Sequence, residues 1–179
     1  DVITGDVETL LKEKRSYFWP IGWKSDSQNV IINSDSSSFG SGCFFFDLQT
    51  LTPNLYSEEQ CRYDFSPDEE IYATFDYPYL NEELKLIITN AWSTEINEIY
   101  LMSTKGVWFV NYSIPKFSPD MEKIVFALGM QMESGKPADT DIYILDVGTR
   151  TLEKFIDDPV YHDAFPAYSP DGKFIADYI

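Results

Sequence analysis

Phe117-Ser118-Pro119-Asp120, followed after a short polar step by Lys123-Ile124-Val125-Phe126-Ala127, is the stretch on which the reading of this chain turns. It recurs as Phe65-Ser66-Pro67-Asp68 before Glu70-Ile71-Tyr72-Ala73-Thr74-Phe75, and as Tyr168-Ser169-Pro170-Asp171 before Lys173-Phe174-Ile175-Ala176. A degenerate copy, Trp23-Lys24-Ser25-Asp26, leads into Asn29-Val30-Ile31-Ile32 with Ser25 where the others have proline. Counted at the proline position, the copies stand at 25, 67, 119 and 170, giving steps of 42, 52 and 51. The motif itself reads as structural. Proline presets φ at the end of one strand, and Ser and Asp offer oxygens to the amides of the turn that starts the next. The preceding aromatics, Trp23, Phe65, Phe117 and Tyr168, are expected to pack between repeats.

A period of roughly 40 to 50 residues made of short strands is the signature of a β-propeller, whose four-stranded blades stack face to face. The second half of the repeat is clearest where Asp141–Asp146 reads as a third strand, Gly148-Thr149-Arg150 as a turn and Thr151–Phe155 as an outer strand. By analogy, Glu98–Met102 is expected as a third strand with Val107–Val110 outside it, and Cys43–Asp47 as a third strand followed by Leu51–Tyr56. The fold class expected is all-β: a single propeller segment over 1–179, with blades at 18–57, 61–111 and 114–156, a partial blade at 164–179, and an N-terminal outer strand at 1–13. Two closures fit. The outer strand near 7–11 could complete a composite blade with 165–179, or the chain could be cut from a larger ring; the first leaves unpaired edges, which soluble proteins avoid.

The aromatic-Ser-Pro-Asp step, the Ile-Tyr third strand and the Asp-x-x-Thr-Gly-like turn at Asp146–Arg150 resemble the PD40 (WD40-like) repeats of TolB-like β-propellers. The resemblance implies a full ring of six or more blades and a place outside the cytoplasm, periplasmic or secreted. Related blades occur in the propellers of prolyl oligopeptidase-type serine peptidases, so the resemblance bears on fold more than on task.

With 30 acidic against 13 basic residues and a formal net charge of -17, most of the surface would repel a phosphate backbone, so nucleic acid is not the expected partner. Aromatic residues make up 16% of the chain, which favours the half-buried, pleated surfaces of sheets. The two cysteines, Cys43 and Cys61, are too few for a four-ligand zinc site and leave open a single disulfide. No apolar run is long enough for a transmembrane segment.

Catalytic chemistry finds little support. His162 is the one histidine, no Gly-x-Ser-x-Gly elbow occurs, and phosphate-cradling glycine motifs are missing, so no catalytic residue is assigned. The close carboxylates Asp157 with Asp158, Asp139 with Asp141, and Glu58 with Glu59 fit turns and solubility better than glycosidase chemistry. No cofactor is expected; calcium is the ion best suited to Asp139-Thr140-Asp141, though without EF-hand spacing. Asn111-Tyr112-Ser113 matches a glycosylation sequon.

The steps of 52 and 51 exceed that of 42, and the excess falls between the expected second and third strands, over 76–97 and 129–140, with Leu84–Thr89 as an extra strand. Insertions on one face of a rigid scaffold mark a binding surface. Tyr77, Tyr79, Trp92, Met130 and Met132 are the side chains expected to anchor a protein or other ligand there. The function expected is a non-catalytic scaffold; the alternative is a substrate-gating propeller of a larger peptidase.

Overall fold

The computed structural model describes residues 17–36, 38–58, 61–76, 83–90, 96–103, 109–131, 139–156 and 163–178. All regular structure among them is strand. The chain divides into two compact units, Asp1–Cys61 and Arg62–Ile179.

In the first unit, β1 (Tyr17–Trp23), β2 (Asn29–Ser36), β3 (Gly40–Asp47) and β4 (Thr52–Ser57) form one antiparallel sheet in chain order. Alternation decides its faces. Ile32, Phe44 and Phe46 point to one side, where Phe18, Val30, Phe39 and Leu48 pack on them.

The second unit repeats the pattern. A four-stranded sheet is formed by β5 (Tyr63–Phe65), β6 (Ile71–Asp76), β7 (Glu83–Asn90) and β8 (Ile96–Ser103). Next come β9 (Phe109–Tyr112), β10 (Lys116–Phe117), β11 (Lys123–Gln131), β12 (Asp139–Asp146) and β13 (Thr151–Ile156), with both β9 and β10 lying along β11. The last pair is β14 (Ala164–Tyr168) with β15 (Ile175–Tyr178). Leu84, Leu86 and Ile88 on one sheet meet Ile124, Phe126, Leu128 and Leu145 on the next. The opposite side of that next sheet buries Val125, Ala127 and Ile142 against Tyr168 and Ile175. Burial on both sides explains why Ile124–Leu128 is apolar without alternation.

The repeat is exact in register. Trp23 pairs with Val30, Phe65 with Tyr72, Phe117 with Ile124 and Tyr168 with Ile175, so each aromatic opens its hairpin at one equivalent inner-strand position. Trp23 departs from the packing expectation at 64% exposure.

Two strand assignments are corrected. Leu84–Thr89 is no addition to a loop: it lies in β7, the third strand of its sheet, and Glu98–Met102 lies in β8, the fourth. Phe109 and Val110 are not an outer strand either, since β9 pairs with β11 at Gln131 and Met130 and so begins the inner edge of the following sheet. Local likeness between Glu98-Ile99-Tyr100 and Asp141-Ile142-Tyr143 points one strand too far. The fully buried Leu84 and Leu86 make β7 the better filler of the inter-sheet core.

The Ser-Pro-Asp turns show why the motif recurs. Ser66, Ser118 and Ser169 each accept the amide five residues on, at 3.1, 2.9 and 3.0 Å, and donate the hydroxyl to Asp68, Asp120 and Asp171. Where Lys24 replaces serine, Asp26 accepts the Asn29 amide itself at 2.9 Å. The residue after the Asp is left-handed in all four copies: Ser27 at φ 56°, Glu69 at 61°, Met121 at 64° and Gly172 at 71°. Only the last is glycine, and an L residue in this region costs about 1–2 kcal/mol. Met121→Gly is therefore expected to raise stability by up to about 1 kcal/mol after the glycine's own chain entropy. Thermal melting of the variant checks this, and an unchanged or lower midpoint would contradict it.

Candidate binding rim

Asp47 and Asp146 close the turns after their third strands, accepting amides from Thr50 at 2.9 Å and Thr149 at 2.7 Å. Leu51 and Arg150, four residues past each Asp, share φ 54° and 58°. These turns join third to fourth strands, as the Ser-Pro-Asp turns join first to second. Both therefore lie at one end of their sheets, and the second-to-third connections lie at the other.

Within the second unit those other connections are 77–82, after Asp76 of β6, and 132–138, after Gln131 of β11. The sheets that carry them pack face to face, so the strand ends that launch the two connections share a rim. Of the expected anchors, Tyr77, Tyr79 and Met132 belong to these connections and lie outside the described residues, and so does Trp92. Met130 is on β11, paired with Asp139 and Val110. Trp92 belongs to 91–95, which follows Asn90 at the other end of β7. With β7 counted as a strand, 76–97 ceases to be one long insertion and becomes two short connections.

Asp141, buried beside Leu128, takes the Lys154 ammonium at 2.8 Å, and Lys154 also lies 5.8 Å from the centre of the Tyr143 ring. No group of three or more His, Cys, Asp or Glu residues gathers among the described residues. Asp157, Asp158, Glu59 and His162 lie outside them. The sequon serine, Ser113, is committed to the fold: its hydroxyl accepts the Ala127 amide at 2.9 Å and bridges the break between β9 and β10.

Two contacts escaped sequence reading. Asp64 on β5 accepts Lys116 Nζ at 3.0 Å and the Phe117 amide at 3.4 Å, linking the inner strands of neighbouring sheets. A signal existed, since both residues directly precede the motif aromatic in successive repeats. The other is Asn33, which holds both the amide and the carbonyl of Cys61; nothing local announces it.

Titration follows the hydrogen bonds. Ser66, Ser118 and Ser169 hold Asp68, Asp120 and Asp171 below the usual carboxylate range, while turn amides do so for Asp26 (Gln28), Asp47 (Thr50) and Asp146 (Thr149). Burial pushes Asp64 the other way, against the pull of Lys116. A depressed folded value gives stability that is complete above the unfolded value, near about 3.9, and is lost as pH falls through the folded one. Asp64 has the opposite sign, and it is one group against six. The urea midpoint is thus expected to hold steady from pH 7 to about 5 and to drop below about 4. A midpoint that rose on acidification would refute this account of the turns.

No family model matches the sequence, and no curated protein matches it. Solved structures do. The chain superimposes with TM-score 0.57 on a structure described as TolB from Agrobacterium tumefaciens, at 17% identity over 92% of this chain and 54% of the other. An oligogalacturonate lyase from Vibrio parahaemolyticus gives 0.51 at 16% identity, covering 86% and 43%. An oligogalacturonate lyase in complex with manganese gives 0.51 at 12%, covering 90% and 52%. The chain spans about half the length of these structures. Likeness at such identities carries the fold alone, and that fold is a TolB-like β-propeller.

Proposed function

We propose that this chain is a non-catalytic part of a propeller working outside the cytoplasm, binding a protein or another ligand through the rim that carries 77–82 and 132–138. The observation that carries the reading is that Asp76 of β6 and Gln131 of β11, the strand ends leading into these connections, belong to sheets packed together through Phe126, Leu84 and Leu86. Loops carried by a rigid strand scaffold are the arrangement in which loops bind. The Cys43–Cys61 disulfide supports a place outside the cytoplasm, because such bonds persist in oxidising compartments.

The test compares substitutions in two connections. Tyr79→Ala is expected to weaken capture of the partner from a periplasmic or secreted extract by more than about 1 kcal/mol. Trp92→Ala, in the connection that follows the other end of β7, should leave capture unchanged, and neither should shift the melting temperature. Equal losses from both, or unfolding by Tyr79→Ala, would remove the binding assignment. The non-catalytic part has its own check: a large loss of hydrolytic rate in a folded His162→Ala protein would overturn it.

A further inference from the structure

Asn33, Cys43 and Cys61 form a unit that does more than add a covalent link. Asn33 on β2 stands directly opposite Cys43 on β3 in the antiparallel register, so their side chains leave the same face of the first sheet. Cys61 comes to that face from outside the sheet, 18 residues after Cys43 and with the two Cα atoms 5.4 Å apart. Asn33 Nδ2 donates to the Cys61 carbonyl at 2.9 Å, and the Cys61 amide donates to Asn33 Oδ1 at 2.7 Å. The side-chain amide thus does for Cys61 what a neighbouring strand would do, satisfying both backbone groups at once. Both cysteines are fully buried and Asn33 is 7% exposed, so no water competes for these bonds.

None of this clamp involves sulfur. It can form while both cysteines are thiols, and it places their side chains side by side. We propose that Asn33 is a templating residue for oxidative folding, holding Cys61 against Cys43 before the disulfide exists. The oxidant is an external disulfide of the glutathione or oxidoreductase class. One thiolate attacks it to give a mixed disulfide and release one external thiol. The second cysteine's thiolate then attacks the first cysteine's own sulfur in that mixed disulfide, forming the Cys43–Cys61 bond and releasing the other external thiol. Two cysteine thiols are oxidised by two electrons and one external disulfide is reduced to two thiols. Asn33 supplies proximity for the second attack, which would otherwise require the chain to bring the sulfurs together.

The experiment equilibrates the chain with reduced and oxidised glutathione and reads the effective concentration of one cysteine for the other, in buffer and in urea. Asn33→Ala is expected to lower it at least tenfold in buffer, about 1.4 kcal/mol, and to leave it unchanged in urea. Equal values for both proteins in buffer would overturn the proposal. A second measurement needs no substitution and stands even if Asn33→Ala fails to fold. In reduced wild-type protein, hydrogen exchange at the Cys61 amide should stay protected along with β2 and β3. A Cys61 amide that exchanges freely on reduction would show that the sulfur bond makes the clamp, and the templating role would fall.

Discussion

Phe126→Ala is expected to destabilise the second unit by about 3–5 kcal/mol, the range for removing a large side chain from a close-packed interior. Phe126 is fully buried and touches two other rings, Phe75 edge-on at 5.1 Å and Tyr143 in parallel at 6.1 Å. It therefore fills the space between two sheets, which cannot collapse without moving a whole four-stranded layer. Phe155→Ala is the control, since that ring is 51% exposed on the outer strand β13 and should change stability by under about 0.5 kcal/mol. Urea unfolding followed by intrinsic fluorescence distinguishes them. A Phe126→Ala loss below about 1 kcal/mol would mean that the neighbouring sheets are not packed through this residue.

Removal of the disulfide is the second large effect. The bond closes a loop with a sequence separation of 18, for which the chain-entropy account gives about 3 kcal/mol. Cys43→Ala with Cys61→Ala is expected to lower the stability of the first unit by about that amount. Reducing the wild-type protein should produce the same shift, whereas reductant should do nothing to the double variant. A wild-type midpoint indifferent to reductant would show that the bond does not stabilise the native chain.

These two effects lie on different sides of what could be read without a structure. Phe126 is in the apolar run after Phe117-Ser118-Pro119-Asp120, and its burial follows from that run being bounded by turns. The disulfide depends on a pairing that two cysteines permit but do not require. The strand ends beneath the proposed rim are legible only in part. Tyr77, Tyr79 and Met132 follow strands that form as expected, whereas Trp92 follows Leu84–Thr89, which the structure makes a full third strand instead of an insertion. Ile99-Tyr100 resembles Ile142-Tyr143 locally, but the strand earlier in the chain carries the more deeply buried leucines.

By itself the sequence determined the turns, and with them the blade period. Each Ser-Pro-Asp turn closes through bonds spanning no more than five residues, and each Asp-x-x-Thr turn through bonds spanning three or fewer. Short-range bonds of this kind need no partner from elsewhere, so their residues form a pattern visible in one dimension. Tertiary structure alone decided which strand is third in the second sheet, which sheet takes β9, and what receives Cys61. Those outcomes rest on a strand's fit against a facing sheet and on contacts such as Asn33 with Cys61, 28 residues apart, or Lys116 with Asp64, 52 apart. Antiparallel strands of similar composition compete for the same slot, and the burial each achieves in the assembled core selects among them.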